Sequence, residues 1–300
     1  MTESKKRPLV VEIKYNSLDD GPGIRTAVFF KGCPLRCAWC HNPEALKPEP
    51  ELAWMEKDCL GCGECSKVCS SGAATGLLKL RHDPEKCVAC FSCVDACPAG
   101  ARKSAGRYYE PEELLRLLLR DKPFYRNSGG GVTLTGGEPM MHMEYASAIL
   151  KGLREKGVHT VVETSGLFSM HSFEELVLPC VDLIFFDVKL LDGAEHLKYT
   201  GLDNAVILRN LEALSEKAGD KVLPRVPLIP AMTATENNLL AIARWLKSLG
   251  FKDAALLPYN PLWLDKARSV GRDPSGAGRS FMKRDEIAGL EKIFYGALRG

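Results

Sequence analysis

Short continuous apolar runs alternate along this chain with longer stretches in which apolar positions recur at helical spacing. The run Arg25 to Lys31, with Val28, Phe29 and Phe30 at its centre and Gly32 at its end, predicts a buried strand, because strands of a parallel sheet are covered on both faces. Further strands are predicted over Val158 to Thr164, Leu183 to Lys189, Val222 to Ile229 and Ala254 to Tyr259, and over Val132 to Thr135, which runs into a glycine pair. Helical periodicity predicts helices over Glu110 to Arg120, Met143 to Lys156, Phe173 to Leu178, Asn204 to Ala218, Glu236 to Leu249 and Lys283 to Leu298. The first opens on a proline and acids that suit the helix dipole, and two of the others end at Gly157 and Gly250. Strands separated by such helices imply right-handed crossovers and a parallel sheet. Six strands fall short of the eight of a closed barrel, so the fold class predicted is α/β, an incomplete (β/α)6 barrel.

That rhythm breaks over residues 48–104, where cysteines sit among glycines, alanines and small polar residues. The predicted division is therefore a barrel formed by 1–47 and 105–300, with 48–104 inserted. Cys59, Cys62, Cys65 and Cys69 stand at C-x2-C-x2-C-x3-C, and Cys87, Cys90, Cys93 and Cys97 repeat the pattern, the second run followed by Pro98. This duplication is the signature of a bacterial-ferredoxin-like module with two 4Fe4S clusters, in which the fourth cysteine of each run serves the other cluster. One set is then Cys59, Cys62, Cys65 and Cys97, the other Cys87, Cys90, Cys93 and Cys69. Ser70 stands where a proline usually follows. Zinc ribbons, the competing reading, use pairs of C-x2-C.

Eleven of the twelve cysteines fall between Cys33 and Cys97, which argues for metal ligation in a reducing compartment against a disulfide framework. Cys180, the twelfth, reads as a buried inert thiol. A third cluster of cysteines, Cys33, Cys37 and Cys40, has the spacing C-x3-C-x2-C, with Trp39 before its last member and His41 after it. Soft thiolates this close suit an iron-sulfur cluster or zinc. A four-iron cluster normally takes four cysteines, so three leave one iron open to a substrate. By spacing alone a zinc knuckle or a ferredoxin fragment stays open.

With its aromatic residue, this motif resembles the signature of radical S-adenosylmethionine (SAM) enzymes. The flanking Asp20-Gly21-Pro22-Gly23-Ile24-Arg25-Thr26 and Cys40-His41-Asn42-Pro43-Glu44 narrow the resemblance to the activating enzymes of glycyl radical enzymes, and it covers nearly the whole chain. A partial barrel is also what that family implies. The resemblance assigns Cys33, Cys37 and Cys40 to a catalytic 4Fe4S cluster, making three clusters in all. Gly136, Gly137 and Glu138 match a GGE motif that faces the amino group of SAM. Asp187, Val188 and Lys189 match a D-x-K element, Arg225 a basic residue near the SAM carboxylate, and Thr164 a strand end facing SAM. Trp39 and His41 border the same ligand. Asn260 stands where relatives often carry a histidine beside the adenine. Asp20 helps hold an incoming peptide. Glu163, Thr164, Asp187, Lys189, Tyr259 and Asn260 all end apolar runs, which supports a shared site over scattered surface residues.

The implied reaction is reductive cleavage of SAM to methionine and a 5′-deoxyadenosyl radical, which removes hydrogen from a backbone glycine of a partner protein. Activators of pyruvate formate-lyase typically lack the insert, so the implied partner is another glycyl radical enzyme, a decarboxylase, dehydratase or lyase. The insert clusters are expected to relay electrons or to dock a reductant of flavodoxin or ferredoxin type. Competing readings are a radical SAM enzyme acting on a small molecule and an electron-transfer protein with fully ligated clusters. A net charge of +2 gives no footprint for nucleic acid. The polar start Met1 to Pro8 is no signal peptide and no apolar stretch is long enough to span a membrane, so a cytoplasmic protein is expected.

Overall fold

The computed structural model describes residues 7–75, 82–274 and 278–300. Most of the polar start, Met1–Lys6, and the stretch 76–81 of the insert lie outside the described residues. The strands are β1 (Leu9–Ser17), β2 (Arg25–Phe30), β3 (Glu51–Trp54), β4 (Arg102–Ala105), β5 (Arg107–Tyr108), β6 (Gly131–Gly136), β7 (His159–Thr164), β8 (Leu183–Asp187), β9 (Val222–Leu228) and β10 (Ala255–Pro258). The helices are α1 (Glu64–Lys67), α2 (Ser92–Asp95), α3 (Pro111–Leu118), α4 (Lys122–Ser128), α5 (Met143–Glu155), α6 (Met170–Leu176), α7 (Gly193–Thr200), α8 (Ala205–Ala218), α9 (Glu236–Ser248), α10 (Trp263–Ser269) and α11 (Arg284–Arg299). One sheet runs β10-β9-β8-β7-β6-β2-β1-β5, and β3 pairs with β4 separately. The six predicted strands, β2 and β6 to β10, are mutually parallel.

Two antiparallel strands extend that sheet beyond the expected six. Glu12 and Lys14 interrupt the apolar run of β1, which is the alternation of a half-exposed strand beside β2. β5 meets β1 only at Leu9 and Val10, so the outer edge of β1 is open beyond them, along a groove of about 780 Å³.

Register separates the two faces of the parallel strands. Val28, Leu134, Val162, Ile184 and Val222 lie side by side, fully or nearly buried, in one core with Ile149, Leu150, Leu211, Ile242 and Leu246 of the crossover helices. Each such side chain contributes roughly 1.5–3 kcal/mol on burial, so this face holds the molecule together. The opposite face carries Arg25, Thr133, Thr135, Glu163, Asp187 and Arg225, and is free to hold chemistry.

The insert leaves and returns through β3 and β4, whose register joins Glu51 to Ala105. Its root is tied to the barrel by charge. Lys31, wholly buried at the end of β2, donates to Glu51 Oε2 at 2.6 Å, and Arg272 Nη2, from the segment after α10, donates to Glu51 Oε1 at 3.1 Å.

Candidate active site

The loop carrying Cys33, Cys37 and Cys40 leaves the carboxyl end of β2, where ligand sites of α/β folds collect. Main-chain bonds hold it on several sides. Gly32 N donates to Ala45 O at 2.7 Å and Cys33 N to Leu46 O at 3.1 Å. Arg36 N and Ala38 N donate to Thr200 O and Tyr199 O, at 2.7 and 2.9 Å, so the last turn of α7 grips its middle. Trp39 is 5% exposed and packs on the Tyr199 ring, centroids 6.4 Å apart, which makes it a wall of the site as well as a neighbour of Cys40.

Gly136 and Gly137 bring the end of β6 against this loop. Gly137 N donates to Phe30 O at 2.8 Å and Glu138 N to Gly32 O at 2.7 Å. A Cβ on Gly137 would sit 2.1 Å from Gly32 O, and one on Gly136, whose φ is +108°, 2.4 Å from Phe30 N. What this glycine pair admits closely is the backbone of the cysteine loop. Glu138 is wholly buried and its carboxylate is filled by protein donors. Met140 N and Thr164 Oγ1 reach Oε1 at 3.0 and 2.9 Å, while Ser165 N and Oγ reach Oε2, both at 2.7 Å. Burial pushes its carboxyl upward, against those four donors. Glu138 and Thr164 thus lock the ends of β6 and β7 together.

The polar face beneath the loop carries a chain of charges. Thr135 donates to Glu163 at 2.6 Å, Arg225 Nη1 donates to Glu163 at 2.8 Å, Arg225 Nε and Nη2 donate to Asp187 Oδ1 at 3.1 Å, and Lys189 donates to Asp187 Oδ2 at 3.1 Å. Burial works against each charge here, but the neighbours win. Lys189 and Arg225 hold the Asp187 carboxyl below its ordinary value, Asp187 and then Cys37 hold the Lys189 ammonium above its own, and Asp187 and Glu163 raise Arg225. Val188, 1% exposed, is fixed by its N–H on Arg225 O at 2.8 Å.

The sulfurs of Cys37 and Cys33 both act on the Lys189 charge, and Lys189 acts back on Cys37, which brings the cysteine loop and the D-x-K element into one site. Burial pushes the Cys40 thiol up to about 12 and lifts Cys33 and Cys37 as well. Thiolates there need compensating positive charge, which iron supplies. His41 stands edge-on to Tyr259, centroids 6.2 Å apart, with a buried Nε2 that has no hydrogen-bond partner, and burial keeps its imidazole neutral. Asn260 follows Tyr259 on this side, its Oδ1 accepting from Leu262 N at 3.2 Å. Three soft donors, a largely buried cation pair and an unsatisfied imidazole nitrogen fit an iron-sulfur cluster with a polar, zwitterionic ligand beside it.

Asp20 lies elsewhere. It precedes β2, at the opposite end from the cysteines, roughly 20 Å away by strand rise. There its main-chain O accepts from Thr133 Oγ1 at 2.6 Å, and its carboxylate accepts from Ser17.

In the insert, Cys59, Cys62, Cys65 and Cys97 line one small cavity, while Cys69, Cys87, Cys90 and Cys93 line a second. The fourth thiol of each run faces the other run's three. Arg102, 3% exposed, borders both. Cys180 is half-buried at the margin of the core, less enclosed than its apolar neighbours suggest.

Three contributors carry no strong sequence signal. Thr135 and Ser165 are small polar residues at strand ends, and Lys266, which donates to Asn42 Oδ1 at 3.2 Å, comes from a helix that periodicity does not reveal. The grip of α7 was detectable, since Asp192 caps it by accepting from Glu195 N at 2.8 Å, an Asp-x-x-Glu start.

A family model described as the radical SAM superfamily matches residues 27–246. The chain is 35% identical to the trans-4-hydroxy-L-proline dehydratase activating enzyme of Clostridioides difficile, with 96% of each chain covered. It is 40% identical to the benzylsuccinate synthase activating enzyme of Thauera aromatica, covering 80% of this chain and 74% of that one. Among solved structures, a radical SAM methyltransferase from Sphaerobacter thermophilus aligns over 97% of this chain and 75% of its own, with a TM-score of 0.52 at 15% identity, a likeness of fold.

Proposed function

Because the chain belongs to the radical SAM superfamily and, within it, to the activating enzymes of glycyl radical enzymes, we propose that it cleaves SAM reductively and installs a radical on a backbone glycine of a partner enzyme. The observation that carries this reading is the convergence of Cys33, Cys37 and Cys40 with the Lys189–Asp187–Arg225–Glu163 chain. Cys33, Cys37 and Cys40 hold the cluster, which when bound supplies the electron that breaks a carbon-sulfur bond of SAM.

The chain's own residues do the rest. Lys189 and Arg225 offer cations to the methionine carboxylate, and Asp187 keeps both charged and aimed. His41 and Asn260 border the adenosine end. Gly136 and Gly137 present main-chain groups beside the cysteine loop, stiffened by the buried Glu138. Trp39 and Tyr199 close one wall against water, which a carbon radical must not meet. Asp20, before β2 and roughly 20 Å from the cysteines by strand rise, would contact the incoming glycine-bearing segment away from the radical itself. The insert is a ferredoxin-like module with two further 4Fe4S clusters, bringing the total to three, and a flavodoxin or ferredoxin is the class of reductant that such clusters accept from. Clusters and a radical of this kind suit the reducing cytoplasm.

Relatives of similar identity are named for a decarboxylase, a dehydratase, a lyase and a synthase, so identity alone selects no partner. The test is anaerobic reconstitution with iron and sulfide, reduction by dithionite with SAM, and quantification of 5′-deoxyadenosine and methionine beside a Cys37→Ala control. Cleavage only with the intact loop supports the reading. Iron loading to three clusters without cleavage returns the protein to electron transfer.

A further inference from the structure

The segment that follows Cys40 is held from outside the sheet by α10. Lys266 Nζ donates to Asn42 Oδ1 at 3.2 Å and pairs with Glu44 Oε1 at 3.0 Å. One turn earlier, at helical spacing on the same side of α10, Trp263 Nε1 donates to Tyr259 Oη at 3.2 Å, and the Tyr259 ring meets His41. This short helix thus reaches His41 through Tyr259, and Asn42 and Glu44 directly. The Lys266 charge also extends to His41, where, after burial, it is the second influence that lowers the imidazole.

Lys266 fixes which way the Asn42 amide faces. An ammonium only donates, so Asn42 must turn its oxygen to Lys266, and its nitrogen is left to donate elsewhere. That nitrogen, Nδ2, donates to Gly136 O at 3.3 Å, so the amide spans from α10 to the glycine pair at the end of β6. Flipped, it would set Nδ2 against an ammonium and Oδ1 against a carbonyl, two repulsive contacts in place of two bonds. The ion pair with Glu44 leaves 41% of the lysine side chain exposed and adds little stability by itself. The cysteine loop has separate support, since Gly32 N and Cys33 N donate to Ala45 O and Leu46 O, and neither bond involves Lys266. What Lys266 adds is the orientation of residues 41 and 42, while the main chain closes the loop.

We propose that Lys266 is a positioning residue for SAM: acting through the Asn42 amide, it holds His41 and the Gly136 carbonyl at the spacing that the bound ligand needs. The inference rests on the SAM reading of the site and adds to it a residue that acts through another.

The test compares Lys266→Met, Lys266→Arg, Asn42→Ala and the double variant Lys266→Met with Asn42→Ala as reconstituted full chains. The readouts are bound iron, the SAM dissociation constant from equilibrium dialysis, and KM and kcat for 5′-deoxyadenosine formation. Lys266→Met is expected to keep full iron and to weaken SAM binding about tenfold, with KM rising more than kcat falls. Lys266→Arg, which still donates, should stay within about threefold of the unaltered protein, and the double variant should be no weaker than Asn42→Ala alone. Unchanged SAM affinity in Lys266→Met overturns the proposal. So do equal losses in the Met and Arg variants, or iron lost in step with affinity, either of which makes Lys266 a packing residue of α10. Full additivity in the double variant removes Asn42 as the route and overturns it as well. If the unaltered protein loads iron yet binds no SAM, the SAM reading itself falls and takes the proposal with it.

Discussion

Arg225 is the residue on which the site's electrostatics turn, because it bridges Glu163 and Asp187 from between them. Each of the three is at least three-quarters withdrawn from water, so removing the cation takes the counter-charge from Glu163 and leaves Asp187 with Lys189 alone of the two cations that the site gives it. Arg225→Gln is expected to cost about 3 kcal/mol or more, read as a lowered urea midpoint of the protein without clusters. The same network sets a pH window. Asp187 is held below its ordinary value, so the stability it contributes is present above about pH 3.9 and is lost as pH falls through the lower folded value. Lys189 is held above its ordinary value, so its contribution is present below about pH 10.4 and is lost only as pH rises through the higher folded value. His41 is already neutral by burial at pH 7. Between about pH 7 and pH 9 none of these three groups should therefore contribute a titration to SAM affinity, measured by equilibrium dialysis on reconstituted protein, which leaves the α-amino group of SAM, at about pH 8, as the group that titrates there. An Asp187→Asn variant that removed that titration would contradict the assignment.

At the scale of elements, the cysteine loop depends on the two strand ends and the helix that clasp it. Gly137→Ala forces a methyl against Gly32 O, and neither backbone can retreat without breaking the bonds from Gly137 N and Glu138 N. With the three clusters proposed for this chain, the expected result is loss of the one on Cys33, Cys37 and Cys40 alone, seen as a fall of about a third in bound iron with abolished SAM cleavage. Equal iron in the variant would show that the loop tolerates displacement. How far these elements were legible varied with their burial. The six parallel strands were legible because burial on both faces leaves unbroken apolar runs. β1 was not, since a half-exposed strand next to the edge mixes Glu12 and Lys14 with Val10 and Ile13. α7 and α10 were missed because each is short and lacks a full amphipathic repeat, although Asp192 marked the start of α7. The two runs of four cysteines were singled out by their spacing, and in the structure they line two cavities. Thr135, Glu138 and Ser165 were not readable in their observed roles, because a hydrogen bond between strand ends leaves no local pattern.

Across the whole molecule, a buried ion cluster ties the segment that begins at β3 to the large sheet. Glu51 accepts from Lys31 and Arg272 with only 13% of its side chain exposed, and Lys31 has none exposed. Glu51→Gln leaves a buried ammonium without its anion and should cost about 3 kcal/mol in urea unfolding, whereas replacing both, Lys31→Met with Glu51→Gln, should cost less than the single change. Equal losses would mean that the pair does not act as a unit. β2 and β6 pair side by side although roughly a hundred residues of chain separate them, and bringing such distant partners together is slow because the intervening loop must first close. The β3–β4 ladder shortens that excursion by holding Glu51 beside Ala105. Halving a loop saves about 0.6 kcal/mol of closure entropy, close to a threefold gain in rate. Ala53→Pro, which disrupts the ladder, should slow refolding from urea about threefold, followed by tryptophan fluorescence, and an unchanged rate would mean the large sheet pairs first. The root of the insert thereby acts as a timing device in biogenesis: it gathers the two halves of the barrel before either has a partner to pack against.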